Sequence, residues 1–314
     1  MDSVPYVFCD NVLALLDLRR CDYAEIAKHL SEPWGSLAAK YSRNVEHFAV
    51  WIVESEGFWW CSLFGCGRES VHRYPNSFAD LLSMDRRFIR ITDMSLSPQL
   101  NNKRNFPCSK EELTRRLLPF LALGMRQSST IDLTATSSEK TVIACMDAVH
   151  RCYNFASLCL PFCGSKSMDF LAEQLKNNSN LKSLQLFPNW KASEDVEDIL
   201  ATFINEREEL SGRLIQAYHQ QSPLKVTIKM IKAALDSWKR SHYRKSLYLG
   251  GRIGFTHEEL ISMSLAPNVK FSEHVNEFAP SLKSFRWTAV EGLFVNVELN
   301  PEADVVAIRT SDRM

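Results

Sequence analysis

The 314 residues carry 45% apolar and 24% charged side chains, the balance of an ordinary globular chain, and the length suffices to bury a substantial core; a fibrous or low-complexity polymer is excluded. Basic and acidic residues number 37 each, so no net field draws the chain to nucleic acid, and only a local basic patch could do so. Nine cysteines, none after Cys163, make a poor disulfide framework, and neither a signal-peptide pattern nor a run of about 18 apolar residues is present, so a reduced chain of the cytoplasm or nucleus with no membrane partner is expected.

In chain order, residues 1–44 read as a small helical unit. Val12, Leu13, Leu15 and Leu16 form an apolar run, and Ile26, Leu30, Trp34 and Leu37 follow at helical spacings of three and four, with Pro33 separating two helices. Residues 45–97 form a mixed connecting region. Alternating Phe48, Val50, Ile52 and the run Phe58, Trp59, Trp60, Leu63 flank Ser55-Glu56-Gly57 and predict a hairpin; opposite-facing neighbours would leave one of the two tryptophans exposed. Residues 78–82 suit a short helix and 88–91 a strand. Residues 98–109, with Pro98, three asparagines, Pro107 and Ser109, lack periodicity and predict the linker between domains.

Residues 110–314 then alternate strand and helix. Phe155-x-x-Leu158-x-Leu160 and Leu181-x-x-Leu184-x-Leu186 both fit the strand template of leucine-rich repeats, with weaker copies at 131–133, 247–249 and 282–287. Ser109 with Glu112 and Thr256 with Glu259 are capping boxes, and apolar stripes such as Leu113, Leu117, Leu118, Leu121 mark the helices between strands. Stacked units of this kind share a core, although strand–helix alternation also describes a doubly wound α/β domain. If the template leucines face inward, Asp132, Cys159, Gln185 and Tyr248 face outward and form the expected partner-binding surface.

The chemistry-bearing motifs are weak. Phosphate-binding loops, zinc-protease motifs and nucleophile elbows are missing, and Gly250-Gly251-Arg252-Ile253-Gly254 reads as a strand end before the Thr256 cap. Cys61 and Cys66 with His72, and Cys159 and Cys163 with His150 and Cys152, lack the paired short spacing of zinc sites. The acidic run Glu194, Asp195, Glu197, Asp198 suits a helix start, and Lys239, Arg240, His242, Tyr243, Arg244, Lys245 suit a helix end better than a nucleic-acid platform. No catalytic, metal or cofactor-binding residue is assigned, and a non-enzymatic chain is expected.

The opening Asp2-Ser3-Val4-Pro5-Tyr6-Val7-Phe8-Cys9-Asp10 and the closing pattern Trp287-x4-Gly292-x2-Val295-x-Val297 resemble a nematode-expanded family of F-box-like proteins. Val4-Pro5, Leu13 to Leu16, Asp22-Tyr23 and Trp34-x-x-Leu37 occupy the places of the general F-box pattern. The resemblance implies an α/β chain with a helical F-box-like N-terminus and an irregular leucine-rich-repeat-like strand–helix solenoid. It further implies that Val4, Pro5, Leu13, Leu16, Ile26, Leu30 and Trp34 bind a Skp-type adaptor while the repeats bind a protein target, as the substrate-selecting subunit of a cullin-based ubiquitin ligase. Two alternatives stand beside it: the same apolar residues serve as the core of a helical cap, and the chain is a repeat-scaffold binding or antagonist protein without a ligase link.

Overall fold

A computed structural model describes residues 4–55, 58–65, 75, 77–97, 105–134, 138–186, 189–190, 193–205, 213–216, 224–242, 247–263, 269–276, 279–289 and 293–310. The chain is mixed α/β and divides into two compact units, Met1–Ser157 and Leu158–Met314. The division falls well beyond 98–109, and Asn105–Cys108 of that expected linker is a strand; the domain boundary read from the sequence is corrected accordingly.

The first unit opens with three helices, α1 (Tyr6–Leu15), α2 (Arg20–His29) and α3 (Trp34–Asn44). Cys9 and Leu13 of α1, Tyr23 of α2, and Leu37, Ala38 and Tyr41 of α3 close on one buried cluster, which is the face that the spacings of three and four predict. Strands β1 (Glu46–Ser55), β2 (Phe58–Gly65), β3 (Ile89–Leu96), β4 (Asn105–Cys108) and β5 (Met125–Asp132) form a sheet in the order β4-β2-β1-β3-β5. The hairpin β1–β2 is antiparallel, with Ser55 opposite Phe58, while Glu56 and Gly57 lie outside the described residues; β1 and β3, and β3 and β5, pair in parallel. Trp59 is buried and Trp60 half-exposed, as strand alternation requires.

Between β3 and β5 the chain crosses over through 110–124, entered by the Ser109–Glu112 capping box, with Glu112 N–H donating to Ser109 Oγ (3.1 Å) and Ser109 N–H to Glu112 Oε2 (2.9 Å). Leu113–Leu117 widens into a π turn immediately before Pro119. Proline has no N–H for the residue four back and its ring crowds that carbonyl, so a wider turn relieves both conflicts. The unit also contains the helices α4 (Phe78–Ser83), α5 (Lys110–Glu112), α6 (Leu118–Gly124) and α7 (Glu139–Val149).

The second unit begins with β6 (Ser157–Leu160), α8 (Ser165–Asn177), β7 (Ser183–Leu186), α9 (Glu194–Asn205), β8 (Arg213–Gln216), β9 (Lys225–Val226), α10 (Ile228–Arg240) and β10 (Leu247–Ile253). β6 neighbours β7, and β7, β8 and β10 pair in parallel. Leu158, Leu160, Leu184 and Leu186 are all fully buried. The loop after β6 is pinned: Trp190 Nε1 donates to Leu160 O (2.7 Å), and Ser167 Oγ accepts from Cys163 N–H (2.8 Å) while donating to Pro161 O (2.9 Å). Gly164, at the N-cap of α8, has a φ of 69°, a conformation that a Cβ would strain. The acidic residues Glu194, Asp195 and Glu197 lie in the first turn of α9, as expected for that end of the dipole.

The repeat then stops. After α11 (His257–Ile261), with its Thr256–Glu259 capping box, strands β11 (Lys270–Asn276), β12 (Ala279–Thr288), β13 (Phe294–Asn300) and β14 (Val305–Thr310) form an antiparallel meander whose last strand pairs antiparallel with β10. The weak template copy at 282–287 therefore lies in β12 as part of a meander, not as a further parallel repeat. Its Phe285 and Trp287 are buried as the template leucines would be, but by antiparallel neighbours.

Candidate recognition surface

Helix α1 is apolar except for Asp10 and Asn11, which leaves it with more apolar surface than its own core can take. Cys9 and Leu13, four residues apart, point into the buried cluster, and Asp10 beside them is held by Arg87 (2.7 Å). Ala14 packs against the same cluster, whereas Tyr6, Val7, Phe8 and Leu15 are 51%, 68%, 55% and 77% exposed. Phe8 meets Trp34 edge to face, with ring centroids 6.3 Å apart, and Leu30 is 47% exposed. Scattered exposed apolar residues are unremarkable, but this many along one helix are characteristic of a docking face.

The helix is fixed in place by polar contacts at its C-terminal end, where backbone carbonyls have no intrahelical partner. Tyr23 Oη lies 2.8 Å from Leu13 O and 3.0 Å from Leu16 O. Arg90, 1% exposed, donates to Ala14 O (3.2 Å), to Tyr23 Oη (3.2 Å), and to the carbonyls of Arg87 (2.8 Å) and Ile89 (3.0 Å). Arg126 reaches Ala14 O from β5 (3.5 Å), where the register between β3 and β5 shifts past Ile91 and Ser129 Oγ takes the Arg126 N–H (2.8 Å). A bulge of this kind re-aims a side chain. Two guanidiniums at a helix C-terminus also suit the helix dipole. Burial pulls Arg126 below its ordinary value, with Arg90 adding to the effect, and burial raises the Tyr23 and Tyr41 hydroxyls. Tyr41 Oη donates to Asp10 O (3.0 Å), and Ser128 N–H to Asp17 (2.9 Å). The three helices are thus bonded to the sheet of their own unit.

Of the residues expected to bind an adaptor, Pro5 and Leu30 are exposed; Val4, Leu16, Ile26 and Trp34 are half-buried against the helical core. Leu13 is fully buried, which corrects its place in an accessible patch: at the position facing Cys9 across one turn it belongs to the core. Tyr6, Val7, Phe8 and Leu15 are the exposed residues that the F-box-like pattern did not single out. The signal was present in the apolar residues on both sides of Asp10-Asn11 in α1, which exceed the stripe needed for one buried face.

The expected partner surface fares differently. Asp132 belongs to the first unit, whereas Cys159, Gln185 and Tyr248 belong to the second. Asp132 is half-buried and accepts from Thr134 N–H (2.9 Å). Cys159 is buried, because both faces of β6 are covered, and its expected outward role is corrected. Gln185 and Tyr248 are half-exposed. The Tyr248 ring lies along its own strand over Gly250, where a Cβ would come within 3.0 Å of it.

No family model, curated protein or solved structure matches the chain. Among the described residues no group of three His, Cys, Asp or Glu could hold a metal ion, no disulfide joins the cysteines, and no helix is long and apolar enough to cross a membrane. Burial raises the thiols of Cys108 to about 11 and Cys145 to about 12, which suits side chains used as small hydrophobes rather than nucleophiles. Cys66, His72 and residues 243–246 lie outside the described residues.

Proposed function

We propose that the chain is a protein-recognition module of the F-box-like kind, in which the outward face of α1 engages a Skp-type adaptor and the strand–helix region engages a protein target for a cullin-based ubiquitin ligase. The observation that carries this reading is the exposure of Tyr6, Val7, Phe8 and Leu15 on a helix whose end is locked by Tyr23, Arg90 and Arg126. A rigid apolar helix face is suited to helix-in-groove recognition, since little ordering entropy is lost on docking. Such a role belongs to the cytoplasm or nucleus, and described cysteines without disulfides fit a reducing compartment.

A second reading keeps the recognition role and drops the ligase. It is favoured by Leu13, Leu16 and Ile26, which the F-box pattern would give to the adaptor and which pack on the chain's own core. The two readings separate in a pull-down with purified Skp-type adaptor. The ligase reading expects capture by the full chain and loss of capture in the variant Val7→Ser with Leu15→Ser, both outward-facing and both replaceable without opening the core. Absence of capture by the unaltered chain leaves the binding-protein reading and removes the ligase.

A further inference from the structure

The meander of the second unit has a core face and an outward face. On the core face Leu249, Ile308, Val297 and Phe285 stand in one cross-strand row and are buried. The adjacent row points the other way: Tyr248 pairs with Arg309, Arg309 with Asn296, and Asn296 with Arg286. Residues directly opposite on neighbouring strands share a face, so these four form a continuous line across β10, β14, β13 and β12.

The two arginines of this line are held in an unusual way. Arg286 lies over the ring of Phe294, 4.3 Å from its centroid, and Arg309 over the ring of Tyr248 at 5.5 Å. Among the described residues neither forms an ion pair, and Arg286 Nε is enclosed without a hydrogen-bond partner. Arg252, on the same face, shows the contrast: Asp304 neutralises it, with Nε 2.6 Å from Oδ2. Asn296 stands between the two arginines, accepting from Ser284 Oγ (2.7 Å) and donating to Glu298 Oε1 (2.9 Å), so its amide is already engaged. A guanidinium stacked on a ring keeps in-plane N–H groups available, and with Nε of Arg286 enclosed its terminal Nη edge is the one that can meet a carboxylate in a two-bond fork.

We propose that this row docks an acidic protein segment through two carboxylates, one on Arg286 and one on Arg309. The arginines stand on strands two apart, about 10 Å at ordinary strand spacing, which is about three residues of extended chain. The Glu298 carboxylate, held by Asn296 between the two arginines, breaks the positive stripe that a continuous phosphate backbone would follow, whereas two discrete carboxylates can seat on the arginines alone. The inference adds the partner's chemistry to the recognition role proposed above and rests on that reading in treating Tyr248 as part of a partner surface.

The test is an anisotropy titration of the full chain, at low salt, with a labelled Ser/Gly peptide bearing two pairs of glutamates, the members of one pair two positions apart and of the other four, so that each pair shares one face of an extended chain. The same peptide with glutamines serves as reference. The glutamate peptide is expected to bind and the glutamine peptide not to bind. Arg286→Gln and Arg309→Gln should each weaken binding about fivefold, with exposed Lys232→Gln matching the charge change and leaving it unaltered. Arg309 is exposed, so its variant remains informative even if Arg286→Gln does not fold. Equal binding of the two peptides, or unchanged binding by Arg309→Gln, overturns the proposal. So does tighter binding of a single-stranded oligonucleotide of equal charge that the same substitutions abolish, which would make the row a nucleic-acid surface. Because the peptide does not report on α1, a negative result with adaptor capture retained removes this inference alone.

Discussion

Arg90 decides how the N-terminal helices are held. Its four acceptors include the Ala14 carbonyl at the end of α1 and the Tyr23 hydroxyl that itself reaches Leu13 and Leu16. Arg90→Met should therefore cost about 2–4 kcal/mol in urea unfolding, since it strips buried carbonyls of their donor. An effect below about 0.5 kcal/mol, the range of surface substitutions, would deny the lock. Asp93 is the opposite case: it is half-buried, Asp132 lies near, and burial pushes its carboxyl above the ordinary range. A raised folded value means stability that is present below the unfolded value near 4 and lost as pH rises through the folded one. Asp93→Asn should accordingly raise the melting temperature at pH 7, with the gain shrinking toward pH 4; a lowered melting temperature at pH 7 would contradict this assignment. Neither residue was legible in the sequence. Alternation puts Arg90 opposite Ile89 and Ile91, where a solvent-facing side chain is the natural expectation, and only the docked helices reveal that this face is covered.

At the scale of elements, the readings that survived were those with a local physical cause. The two capping boxes, the hairpin at 47–64, and the buried stripes of Leu113, Leu117, Leu118 and Leu121 all stand where the sequence placed them. Leu186→Ala should destabilise by about 2–5 kcal/mol, because it opens a cavity under a fully buried strand residue. A loss under about 1 kcal/mol in a denaturant titration would show that β7 is not part of a packed core. What failed was strand direction. Leu282-x-x-Phe285-x-Trp287 has the spacing of a repeat strand, and alternation alone does not distinguish parallel from antiparallel neighbours. Connection length does: only residues 277–278 separate β11 from β12, far fewer than the dozen or so that a parallel crossover needs.

For the whole molecule, the expected division at 98–109 gave way to one after Ser157 because turn-forming composition is also what a short edge strand such as β4 carries, Pro107 included. The proposed division of labour gives one unit an apolar helix surface for an adaptor and the other a sheet surface for a target. Burying a phenylalanine fully contributes about 1.5–3 kcal/mol, so Phe8, exposed on α1 and against Trp34, is the most sensitive place to probe it. The most direct measurement is a calorimetric titration of purified Skp-type adaptor into the full chain at several temperatures, repeated with Phe8→Ser. An adaptor seated on α1 should bind one-to-one with a negative heat-capacity change and be weakened at least about tenfold by the substitution. Binding of equal strength in both proteins, or no binding to the unaltered chain, would contradict it.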